Sequence, residues 1–160
     1  MRKLILISLL AGACLAQMPR RNNTYTVSYA DTPAASATVL TIQQPAASAN
    51  DVEVMWATIY CSVDCVVELE RDGTAATATA ATEVGTSVNS PTPTVTAFSA
   101  SDVGNGTTVD TFTIIANQPR AINLSSYGLA LKGVGTTKNV TLRTDSITGT
   151  VRMTICWREW

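Results

Sequence analysis

The 160-residue chain has no histidine, and only 14% of its residues are charged. Without imidazole, the usual general base of serine and cysteine hydrolases and the commonest metal ligand are both missing. Eleven basic residues stand against twelve acidic ones, so no basic patch offers itself to phosphates. Aromatic residues, 6% of the chain, do not interleave with cations as a single-strand platform requires. Nucleic acid is therefore excluded as a partner. Sustained apolar stretches of helical period are also lacking. What remains is a chain that is 46% hydrophobic in short, scattered runs, its polar residues mostly Thr, Ser and Asn. That is the composition of an uncharged β protein of one domain.

The N-terminus "MRKLILISLLAGACLAQ" has the anatomy of a secretory signal peptide: Arg2 and Lys3, then an apolar centre from Leu4 to Leu10, then small residues. The apolar centre is shorter than the ~20 residues of a spanning helix, so no stable membrane insertion is expected after cleavage. Cleavage after Ala16 gives residues 1–16 as the signal peptide and Gln17 as the new start. Acylation of Cys14, as in a lipoprotein, is the alternative; Ala11 stands three positions before it, where a bulky Leu is usual. Loss of Arg2 and Lys3 leaves nine basic against twelve acidic residues, a net charge of -3. The location expected is secreted, extracellular or cell-surface.

Period-two alternation marks half-buried strands. It recurs at 24–29, 38–43, 51–60, 66–71, 94–100, 107–114, 120–126, 139–144 and 150–158, with Gly, Pro and Asn punctuation between. About nine strands without helices predict an all-β fold, an antiparallel β-sandwich of jelly-roll type. Residues 17–37 read as an N-terminal arm or first strand, and 38–160 as the sandwich domain. Val52, Val54 and Trp56 fall on one face of the 51–60 strand and Met55, Ala57 and Ile59 on the other, so both faces look covered. "GTAATATAATEVGTS" carries only small side chains and suits a surface loop or a close subunit contact.

Three cysteines survive cleavage: Cys61, Cys65 and Cys156. A structural zinc site needs four ligands, and no histidine is present to complete the set. A thioredoxin-like centre needs a shorter spacing at a helix start. In an oxidising compartment the pair is a disulfide, and a bond needs Cα atoms ~5.5 Å apart, whereas extended chain from Cys61 to Cys65 spans ~13 Å. The chain must therefore reverse through "CSVDC", which predicts a pinched hairpin loop between strands 52–60 and 66–71. The local Cys61–Cys65 bond closes the shorter loop and leaves Cys156 free; the competing pairing joins Cys156 to one of the two.

Other chemistry is thinly represented. Glu68 and Glu70 share a strand face that solvent is expected to cover, with Arg71 or Arg152 across from it. Asp102, Asn105 and Asp110 offer oxygens for calcium, although turn formation accounts for the same residues. Trp160, terminal and expected to be exposed, is the candidate for stacking on a glycan, whereas Trp56 and Trp157 follow the core alternation. No cofactor is implied.

The blocks "YCSVDCVVELERDGTAATATA", "PTPTVTAFSASDVGNGT" and "GTTKNVTLRTDSITGTVRMTICWRE" resemble a group of small secreted or phage-encoded jelly-roll structural proteins, virion decoration and accessory proteins among them. The likeness covers residues 52–159, implies assembly without catalysis and carries over no catalytic residue. A signal peptide departs from what a virion protein needs. The expected function is thus a secreted, non-enzymatic subunit that self-assembles through sheet edges or its N-terminal arm into an oligomer, filament or surface layer. The alternatives are a glycan-binding adhesion module and a phage decoration protein.

Overall fold

The computed structural model describes residues 23–32, 37–48, 50–73, 80–82, 84–86, 90–99, 106–132, 137–144 and 148–160. The expected signal peptide (1–16), Cys14, the start of the arm (17–22), Asp102 and Asn105 lie outside the described residues.

Among the described residues twelve strands form, more than the alternation alone marks. They are β1 (Asn23–Asp31), β2 (Ala37–Gln44), β3 (Asp51–Cys61), β4 (Cys65–Arg71), β5 (Ala80–Ala81), β6 (Val84–Gly85), β7 (Thr96–Ser99), β8 (Thr107–Ile114), β9 (Arg120–Asn123), β10 (Ala130–Lys132), β11 (Lys138–Thr144) and β12 (Val151–Glu159). One sheet runs β10-β3-β12-β1-β6, with β9 also on β3; the other runs β5-β7-β2-β11-β4-β8. Every pairing is antiparallel. The set β1-β12-β3-β9 faces the set β2-β11-β4-β8, and the chain passes between sheets at each step from β1 to β4. That order is a jelly roll.

The inward faces follow the expected alternation. Tyr25 and Val27 of β1, Leu40 and Ile42 of β2, Val67 and Leu69 of β4, Val140 and Leu142 of β11, and Met153, Ile155 and Trp157 of β12 meet between the sheets. A fully buried Leu, Ile or Met contributes roughly 1.5–3 kcal/mol. Tyr25 stacks on Trp157 with ring centroids 5.7 Å apart, and its hydroxyl donates to the carbonyl of Pro91.

Three expectations need correction. Cys61 and Cys65 do not close a hairpin: β3 pairs with β9, β10 and β12, whereas β4 pairs with β8 and β11, so "CSVDC" turns the chain from one sheet to the other. A local sequence signal shows where the chain reverses but not which sheet receives it. Of the two readings of this segment, arm or first strand, residues 23–31 form the first strand: β1 pairs with β12 along its whole length.

Trp56 is outside the core. Cys156 of β12 stands opposite Trp56 and the next residue, Trp157, opposite Val54, so Met55 is an extra residue in the ladder. This bulge shifts the alternation by one, which sends Val52, Val54, Ala57 and Ile59 all inward and leaves Trp56 38% exposed. The carbonyl of Met55 is held by Leu124 N–H and Ser125 Oγ–H, at 2.9 and 3.3 Å. Both donors belong to a 3-10 turn (Ser125–Tyr127) and the residue leading into it, which divides β9 from β10. Gly128 closes that turn at φ 62°, a backbone angle that favours glycine.

Glu70, expected on a solvated face, is buried and lies 3.5 Å from the guanidinium of Arg143.

Candidate functional site

The disulfide joins Cys61 to Cys65 with Cα atoms 6.5 Å apart, and both residues are buried at the corner between the sheets. Neighbouring chain locks this corner. Ser62 N–H donates to Thr150 O at 2.9 Å, Thr150 N–H donates to Ser62 Oγ at 2.8 Å, and Ala116 N–H donates to Asp64 Oδ1 at 2.7 Å. Gly149 presses so closely on Ser62 and Val63 that a Cβ there would overlap their side chains. Such a corner braces the fold.

Cys156 is a free thiol on the outer face of β12, between Thr26 of β1 and Trp56 of β3. Burial pushes its pKa above the usual thiol value, which keeps it protonated and a poor nucleophile.

Asp110 on β8 has both carboxylate oxygens engaged. Oδ1 accepts the N–H of Thr111 at 2.7 Å, and Oδ2 accepts the Tyr127 hydroxyl at 2.5 Å. The Tyr127 bond, then the Thr111 bond, lower the Asp110 pKa, while the same Tyr127 bond raises that of the phenol. Tyr127 meets Phe112 edge-on at 6.4 Å, and the guanidinium of Arg120 lies 5.4 Å over the Phe112 ring. Hydrogen bonding thus occupies the calcium ligand expected here. Among the described residues no group of three His, Cys, Asp or Glu side chains gathers as a metal site.

Trp160 extends the β12–β3 ladder by exchanging backbone bonds with Asp51, and Arg158 lies 5.3 Å over its ring. One face of the expected glycan stacker is therefore taken by a cation. The same Arg158 forms an ion pair with Glu53. Trp56, Tyr60 and Trp160 all sit on the outer side of the first sheet, and Trp56 is the most open of the tryptophans. Alternation alone could not find it, because the bulge reverses its facing.

The sheet edges differ from one another in how they are protected. Along β8, the outer edge of the second sheet, Asp110 takes the N–H of Thr111, and Arg120 Nη1 donates to the carbonyl of Thr113 at 3.0 Å. Side chains thereby satisfy backbone groups that a further strand would need. The opposite edge of that sheet is the two-residue β5, and the β9/β10 edge of the first sheet is broken by the 3-10 turn.

At β1 the arrangement is more open. The carbonyl of Thr24 accepts Thr86 N–H at 3.0 Å, so even-numbered residues of β1 direct backbone groups away from β12. Among the described residues, the short β6 and Thr86 after it cover β1 only as far as Thr26. Past it, the N–H and C=O groups of Ser28 and Ala30 have no partner among the described residues. Both side chains are small, exposed and uncharged. A depression of about 350 Å³, lined by Ser28, Tyr29, Ala30, Arg152, Met153 and Thr154, adjoins this edge.

No protein-family model, curated protein or solved structure matches the chain. Among the described residues no helix is long and apolar enough to cross a membrane.

Proposed function

We propose that this protein is an exported, non-enzymatic structural subunit whose copies join edge to edge through β1. The unguarded backbone at Ser28 and Ala30 carries this reading, set against the side-chain protection of β8. Two copies related by a two-fold axis at Tyr29 bring Ser28 of each opposite Ala30 of the other. Each such pair exchanges N–H···O bonds in both directions, and the first sheets of the two copies become continuous. The N-terminal signal pattern and the buried disulfide support export.

The test uses variants that alter the edge alone. Proline is tolerated on an edge strand where its nitrogen faces solvent, and lysine on an edge discourages pairing. Ala30→Pro and Ser28→Lys are expected to turn a concentration-dependent oligomer into a monomer in sedimentation velocity, with an unchanged far-UV spectrum. A wild-type chain that stays monomeric at high concentration would refute the reading.

A second reading, adhesion to a glycan, rests on the exposure of Trp56 beside exposed Asn123 on β9. It expects Trp56→Ala, more than Trp160→Ala, to abolish retention on a polysaccharide column.

A further inference from the structure

We infer that the cleft between β10 and β11 is a binding site for an oxyanion, of the kind carried by an acidic polysaccharide. The cleft has a volume of about 270 Å³ and is lined by Arg71, Asp72, Gly128 to Lys132, and Lys138 to Val140. Three cations converge on it from separate elements: Arg71 ends β4, Lys132 ends β10 and Lys138 opens β11. Counter-charge there is incomplete. Lys138 pairs with Asp72 at 3.1 Å and Lys132 reaches Asp51 at only 3.9 Å, whereas Arg71 makes no ion pair among the described residues. The sequence is acidic overall, so an excess of positive charge in one cleft is selective.

The walls are fixed in place. Asp72 stands at φ 57° and donates its N–H to the carbonyl of Asn139 at 3.1 Å. The Asn139 side chain accepts from Gly73 N–H at 2.9 Å and donates to Gly73 O at 3.0 Å. These bonds hold the turn that carries Arg71 against β11, so the cations are presented by pinned backbone. On the other wall, Leu129 turns its carbonyl to Val54 N–H of β3. Alternation then directs the Lys132 N–H away from β3 and over the free edge of β10, as a further donor. A planar guanidinium with two ammonium groups suits a carboxylate or sulfate, and cation-held bonds are stronger than neutral ones.

The experiment is a titration of the exported chain, followed by amide and side-chain NMR, with inorganic phosphate, inorganic sulfate and oligogalacturonate as separate probes. Saturable shifts confined to Arg71, Lys132, Lys138 and their neighbours are expected, weakened by salt. Arg71→Gln with Lys132→Gln should loosen binding about tenfold or more. Tighter binding of the oligosaccharide than of either inorganic ion assigns the anion to a glycan; equal binding assigns it to a free ion. Lack of saturation with all three probes, or affinity unchanged in the double variant while its melting temperature matches the wild type, overturns the proposal.

Discussion

Glu159, two residues from the C-terminal end of β12's core-facing row at Trp157, sits buried among donors. Its carboxylate accepts from Thr94 N–H and Oγ1–H, Val95 N–H and Trp157 Nε1–H at 2.9 to 3.2 Å, with no ion pair among the described residues. These bonds fasten the strand entering β7 to the first sheet. Glu159→Gln replaces an acceptor with a donor facing N–H groups, and unpaired buried groups cost 1–3 kcal/mol each. A loss of about 3 kcal/mol in urea denaturation is expected. The acid and alkaline limits of stability have residue-scale causes too. The Asp110 pKa is lowered by Tyr127, so that contribution is complete above the unfolded aspartate range, about 4, and is lost as pH falls through the folded value. Tyr25 and Tyr127 are raised, the first by burial and the second by Asp110. Their contribution is complete below about 10 and is lost as pH rises beyond it. Asp110→Asn should therefore flatten the acid limb of a melting-temperature profile; an acid limb identical to the wild type would contradict this.

At the scale of elements, the disulfide corner and the bulge in β3 show what the sequence could and could not disclose. The longer strands were legible from their period-two alternation, and "TTVDTFTI" was located to the residue, whereas β5, β6 and β10, of two or three residues, are too short to carry a period. The Cys61–Cys65 bond was legible from loop closure, but its place between two sheets was not, since both neighbouring strands alternate in the same way whichever sheet they join. Trp56 was misplaced because the bulge beside it depends on distant donors, here Leu124 and Ser125 at the 3-10 turn, which hold the Met55 carbonyl. Glu70 was misplaced for a similar reason: Arg143 lies in β11, far along the chain. The tied loop is short, so replacing both cysteines with serine should cost about 2 kcal/mol, measured by thermal or urea unfolding. Cys156 should remain unlabelled by maleimide in the native chain and react once on unfolding; rapid native labelling would contradict its burial.

At the scale of the whole molecule, the jelly roll determines which edges are left for a partner. Sheet order places β8 and β5 at the ends of one sheet and β6 with the broken β9/β10 pair at the ends of the other. Two side chains protect β8, while β6 is too short to cover β1 beyond Thr26. The alternating pattern of β1 identified a strand and suggested an assembling arm; its intramolecular pairing with β12 moves the candidate contact from an arm to an edge. The most direct test is residue-resolved hydrogen exchange at the amides of Ser28 and Ala30 across a range of protein concentration. Joined edges predict protection that grows with concentration and vanishes in Ala30→Pro for the remaining Ser28 amide. Unprotected exchange of both amides at the highest concentration would contradict the account.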